Sequence, residues 1–236
     1  MKLLWLDDYE RHARLAPGFL VILPLAIAAI GTGFGDYPFT TTAVGAVVAL
    51  GGPVALASII REKGVALQDH LFEEWGGPPT TQLLRATGRR SDPDVDRRRS
   101  AVEAAVGVGL PTAADEAADG TEADARYEAA VRELRGRTYS HTDYPLVYAE
   151  NRSYGFARNT LAMRPWGIVT SLLGIGMALA VALLGGADSS GPALAVLVCL
   201  LCAIGWWFLP TDDWVQRSAL RYANQLIAAA SGLSKT

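Results

Sequence analysis

Twenty consecutive residues, Pro165 to Leu184, carry no Asp, Glu, Lys, Arg or His. A helix of that length spans about 30 Å, the thickness of a bilayer's hydrocarbon core. Three more stretches read the same way: Pro17 to Phe34, Thr41 to Ile60 and Ala193 to Leu209. Half of all residues are hydrophobic, and they come in these blocks, so the chain reads as a membrane protein. Between the second and third blocks lies a segment of about 100 residues that holds most of the chain's charge. The expected fold is all-α and polytopic, with four transmembrane helices, as two hairpins, flanking a helical cytosolic domain.

The boundaries follow from the composition shifts. Residues 1–16 read as an interfacial helix, with Leu3, Leu4, Trp5, Leu6 and Tyr9 toward acyl chains, or as a disordered end. Asp7, Asp8 and Glu10 argue against a signal peptide. Residues 17–60 form transmembrane hairpin 1. Pro24 kinks its first helix unless neighbours satisfy the freed carbonyl, and Gly51-Gly52-Pro53 marks a bend in the second. Residues 61–160 form the cytosolic domain, 161–210 hairpin 2, and 211–236 an amphipathic helix, which lies on the membrane or on the central domain. Gly45 and Ala49, and Gly167, Ser171, Gly174 and Ala178, are small residues at offsets of three or four that let helices pack closely.

Inside the middle segment, Ile60, Gly64, Leu67, Leu71 and Trp75 continue the second helix out of the membrane until Gly76-Gly77-Pro78-Pro79 breaks it. Thr80 or Thr81 then caps a short helix through Arg85, closed by Gly88. Asp92 or Asp94 opens a helix through Val106, and 107–120 reads as a loop. Glu122 to Arg135 is an amphipathic helix with Tyr127, Val131 and Leu134 on one face. Asp143 opens the next helix, with Pro145 in its first turn.

Orientation follows from the basic residues. The turns Gly35 to Thr40 and Gly185 to Pro192 contain no Lys or Arg, whereas both termini and the middle segment hold all of them. The positive-inside bias places the termini and the middle segment in the cytoplasm.

Chemistry is conspicuous mainly by omission. His70 and His141 have no ligand-spaced companions, so no metal site is expected. Cys199 and Cys202 sit in an apolar run and read as packing. Nucleophile elbows, metalloprotease motifs and phosphate-binding P-loops are missing, so no catalytic residues, no enzyme activity and no cofactor are expected. No span holds a mid-membrane charge, which argues against ion-coupled transport. The net charge of −3 gives no footprint for duplex nucleic acid.

Two sets of residues invite a ligand. Arg152, Tyr154, Arg158 and Asn159 combine guanidinium forks with aromatic faces, suited to lipid headgroups or to a nucleotide or other anion. Thr80 and Thr81 follow the Trp75-to-Pro79 elbow, where a helix start can bind an anion or merely turn the chain. Arg89, Arg90 and Arg97 to Arg99 alternate with Asp92, Asp94 and Asp96, and read as a solvated, charge-balanced loop.

The elbow Trp75 to Thr81 and the run Glu150 to Asn159 are similar to those of uncharacterised bacterial membrane proteins. The layout of four spans around a cytosolic sensor resembles membrane effectors of nucleotide-signalled antiphage defence systems. The resemblance implies a homo-oligomeric, pore-forming or membrane-permeabilising protein in contact with lipids. A nucleotide signal or a cytosolic protein partner would gate it. The competing expectation is a non-conducting anchor or scaffold for a cytosolic partner.

Overall fold

The computed structural model describes residues 11–33, 52–86, 93–184 and 190–233. The expectations for residues 2–10, the turn Gly35 to Thr40, residues 185–189, Gly45, Ala49, Gly51, Gly88, Arg89, Arg90 and Asp92 lie outside these; Ser190 to Pro192, expected to end the second turn, begin a helix instead. Every regular element among the described residues is helical. A π-helical turn, Arg11–Leu15, leads into α1, Ala16–Gly31. Then follow α2 (Gly52–Glu74), α3 (Pro79–Leu84), α4 (Pro93–Val106) and α5 (Ala113–Ala118). The chain continues as α6 (Gly120–Arg137), α7 (Pro145–Leu184), α8 (Ser190–Phe208) and α9 (Asp212–Leu233).

The chain divides into two compact units. The first comprises Met1–Gln68 and Gly155–Val215; the second comprises Asp69–Tyr154 and Gln216–Thr236. The dividing points fall inside α2, α7 and α9, so three unbroken helices contribute to both.

Among the described residues the first unit holds three helices long and apolar enough to cross a membrane: His12–Gly31, the apolar part of Pro145–Leu184, and Ser190–Phe208. Only residues 52–60 of the second apolar stretch are described, at the start of α2. Large apolar side chains point outward from these helices; Leu172 and Leu173 are each 58 % exposed, and Leu184 is 86 % exposed. Contiguous apolar surface of this kind suits lipid contact. Trp166, Trp207 and Phe208 are also exposed, and the Arg164 guanidinium lies 5.6 Å from the Trp207 ring centre while donating to the Trp207 carbonyl (2.7 Å). Aromatic rings beside an arginine mark an interface level. From Trp166 to Leu184 the helix rises about 27 Å, close to one hydrocarbon thickness.

Close approach of small residues holds this unit together. Gly167, Ser171, Gly174 and Ala178 all lie on the buried face of α7. A methyl on Gly167 would run into the Trp206 indole, and one on Gly174 would lie 2.9 Å from Cys199 Sγ and 3.1 Å from the Pro24 carbonyl oxygen. Ile60, Met163 and Trp206 form the buried cluster beside them. Pro24 lies inside α1 and is fully buried. Neighbours bond the carbonyls around it: Thr170 Oγ1 donates to Val21 O (2.6 Å) and Cys199 Sγ to Pro24 O (3.3 Å).

In the second unit α6 packs against α3, α4 and α5 and buries Ala123, Tyr127, Ala130, Val131 and Leu134 on one stripe. The break after α2 is a Schellman closure: Gly77 N–H donates to Phe72 O (2.7 Å) and Gly76 N–H to Glu73 O (3.2 Å). Both glycines have positive φ, +78° and +119°, which a side chain would resist.

Several local expectations are corrected. The cap of α3 is Pro78, not Thr80 or Thr81, and α3 ends at Leu84; two consecutive prolines preset the first turn without needing a side-chain cap. The stretch 107–120 is not all loop. Thr112 and Asp115 form a reciprocal capping box that starts α5, and Asp119 then caps α6 by accepting from the Thr121 and Glu122 N–H groups. The arginines Arg97 to Arg99 lie within α4 rather than in a loop. The helix expected from Asp143 and the span from Pro165 are one helix of 40 residues.

Candidate functional site

The second unit contains a cleft of about 590 Å³. Arg97 and Arg98 come from α4, Glu150 from the first turns of α7, and Arg221, Asn224 and Gln225 from α9; Ile227 and Ala228 add apolar surface. Periodicity explains why these groups meet. On α4, Val95, Val102, Ala105 and Val106 are buried. Arg98 is three residues after Val95 and four before Val102, so it shares their stripe and is half-buried. On α9, Ala219, Tyr222, Ala223, Leu226 and Ala230 form the buried face, and Arg221, Asn224, Gln225 and Ala228 lie beside it. Thus the apolar face of α9 is covered by protein.

Three guanidiniums and one carboxylate line the cleft. Arg221 Nε donates to Glu150 Oε2 at 3.3 Å, and its Nη2 to Ser218 Oγ at 3.0 Å. Arg97 pairs with Asp94 one turn away at 3.1 Å, with both side chains largely exposed. Asn224 spends an amide N–H on Leu220 O (2.8 Å), which leaves its carbonyl oxygen as an acceptor.

The next residue, Arg99, has a different task. Its Nη1 donates to Tyr127 OH (2.6 Å) and to Leu84 O, and its Nη2 to Pro111 O (2.5 Å). Tyr127 OH lies 2.7 Å from Glu116 Oε1, which also accepts from Ala86 N–H (2.7 Å). Burial, and the hydrogen bond to Glu116, push the Tyr127 phenol up to about 12, against the opposing pull of Arg99. Arg85 forks onto both Asp124 oxygens (3.0 and 2.5 Å), and that hydrogen-bonded pairing holds its pKa above the ordinary value. These groups tie α3 through α6 together.

The residues expected to bind a ligand lie elsewhere, and none of them lines the cleft. Tyr154 stacks on Tyr222, with 6.2 Å between ring centres and 6° between planes. Arg152 is half-buried, four residues before Phe156 on α7. Arg158 and Asn159 belong to the first unit. There Arg158 Nη1 donates to Gln68 Oε1 (2.7 Å), and Asn159 Nδ2 to Ala13 O (2.6 Å). Thr80 and Thr81 are buried, and the elbow before them is closed by its own side chains: Gln82 Nε2 donates to Trp75 O and Gly77 O, and Arg85 Nη1 to Gly76 O. Among the described residues no group of three His, Cys, Asp or Glu side chains is placed to hold a metal ion.

No protein-family model, curated protein or solved structure matches this chain.

Proposed function

We propose that the chain is an oligomeric effector of a bacterial inner membrane that forms a pore or permeabilises the bilayer. A ligand or partner at the helical second unit gates it. In this reading both termini and the second unit face the cytoplasm, and the second apolar stretch supplies a fourth span. A role in antiphage defence is what the layout's resemblance implies.

The observation that carries the reading is α7. One helix of 40 residues bears Glu150 of the cleft near its start and the uncharged run Pro165 to Leu184 at its end. It rises about 60 Å without a break. A change of contacts near Glu150 therefore has a continuous element through which to reach the span. Rigid secondary elements are among the physical connections that carry coupling between distant sites.

Purified protein in dye-loaded liposomes tests the reading. Dye release that depends on the protein and on material binding its helical unit supports it. Sealed liposomes under every cell-extract fraction overturn it, and a stoichiometric soluble partner captured by such silent protein points to the anchor instead.

A further inference from the structure

We propose that the cleft of α4, α7 and α9 binds a phosphate-bearing small molecule, and that Glu150 occupies Arg221 until this ligand displaces it. The charge balance is the first reason. Arg97, Arg98 and Arg221 face a single lining carboxylate, and with the Asp94 that pairs with Arg97 counted the cleft keeps one positive charge in excess. Availability is the second. Arg98 has no hydrogen-bond or ion-pair partner among the described residues, although it lies on the inward stripe of α4. Burying part of a guanidinium without a partner is costly, and an anion removes that cost. Arg97 is committed only to an exposed pair one turn away, which contributes little.

The guanidinium also selects the chemistry. It is planar and forked, and it matches phosphate oxygens two at a time, as three arginines around one cleft would use it. The volume, about 590 Å³, falls within the range for small-molecule sites. The Asn224 carbonyl and the Gln225 amide give polar contacts beyond the phosphate, and Ile227 and Ala228 give an apolar one.

Glu150 makes the site competitive. Its carboxylate holds Arg221 at 3.3 Å, joining α7 to α9. A phosphate that grips Arg221 along its Nε edge takes the donor that Glu150 uses, and Glu150 then stands beside an anion of like charge. Ligand binding therefore removes one tie between the first turns of α7 and α9, and leaves the Tyr154–Tyr222 stack one turn on. That this release opens the membrane rests on the effector reading above; binding itself does not.

Calorimetry with pyrophosphate, on full-length protein in phospholipid-free detergent, tests the site. Binding is expected. Arg98→Ala should weaken it roughly tenfold, and Glu150→Gln should tighten it roughly fivefold by removing the competitor. Arg135→Ala, exposed on α6, should leave it unchanged. Nanodiscs with and without cardiolipin separate the sources: a free phosphorylated ligand is indicated if pyrophosphate affinity is equal in both, a lipid headgroup if cardiolipin suppresses it. The proposal is overturned by no binding at millimolar pyrophosphate. It is equally overturned if helical Arg98→Ala protein binds like wild type, or if Glu150→Gln binds no tighter. In liposomes, Glu150→Gln should leak without ligand; tight binding with sealed liposomes leaves the site standing and removes the effector reading.

Discussion

Tyr127 shows how much of the second unit hangs on one polar atom. Its hydroxyl is fully buried and meets Arg99 and Glu116, each of which also bonds backbone from another element. Tyr127→Phe leaves both charged groups one partner short and should cost about 1–3 kcal/mol of stability, read from chemical unfolding in detergent. The raised phenol pKa has a definite consequence. The folded state holds the proton more tightly than the unfolded chain, so this contribution is complete below pH 10 and is lost as pH rises toward about 12. Tyr127→Phe protein should lack that alkaline step. Gly64 gives a second residue-scale case. A methyl there would collide with Asn159 Oδ1, the acceptor for Arg158. Gly→Ala in an open helix normally stabilises by about 1 kcal/mol; Gly64→Ala should instead lower the melting temperature, because a buried, doubly bonded Asn159 has nowhere to go.

At the scale of elements, helix existence was legible wherever apolar periodicity was strong, as in α6, and wherever charge vanished, as in α7 and α8. Two things were hidden. The helix α5 has no buried face, so periodicity is silent, and its signal is only Thr112 and Asp115 three apart. Hydrogen bonds from the Thr112 N–H and hydroxyl hold the Asp115 carboxyl below its ordinary 3.8. The capping contribution is therefore present above that pH and is lost as acid protonates the folded carboxylate. Thr112→Ala should cost about 1 kcal/mol and raise hydrogen-exchange rates through 113–118 while leaving α6 protected by its Asp119 cap. The second hidden feature was the cleft. Read linearly, Arg97 to Arg99 and the nearby aspartates cancel. Wound into α4, Asp94 and Arg97 pair on the outside, and Arg98 and Arg99 turn inward to separate tasks. The aromatic and basic run on α7 was conspicuous in sequence because it is chemically dense, yet Tyr154 and Asn159 use that density for packing within the fold.

For the whole molecule, the described residues hold three helices of spanning length and composition, and the proposed topology has a fourth span and a cytoplasmic second unit. Pairing of the spans decides which side the cleft faces, and hence which ligands can reach it. Cysteine labelling of intact cells measures this directly, on a background with Cys199 and Cys202 changed to Ser. An impermeant maleimide should label Ser189→Cys protein from outside and leave Arg126→Cys protein unlabelled until the membrane is opened. Labelling of Arg126→Cys in sealed cells, with Ser189→Cys protected, would contradict the account.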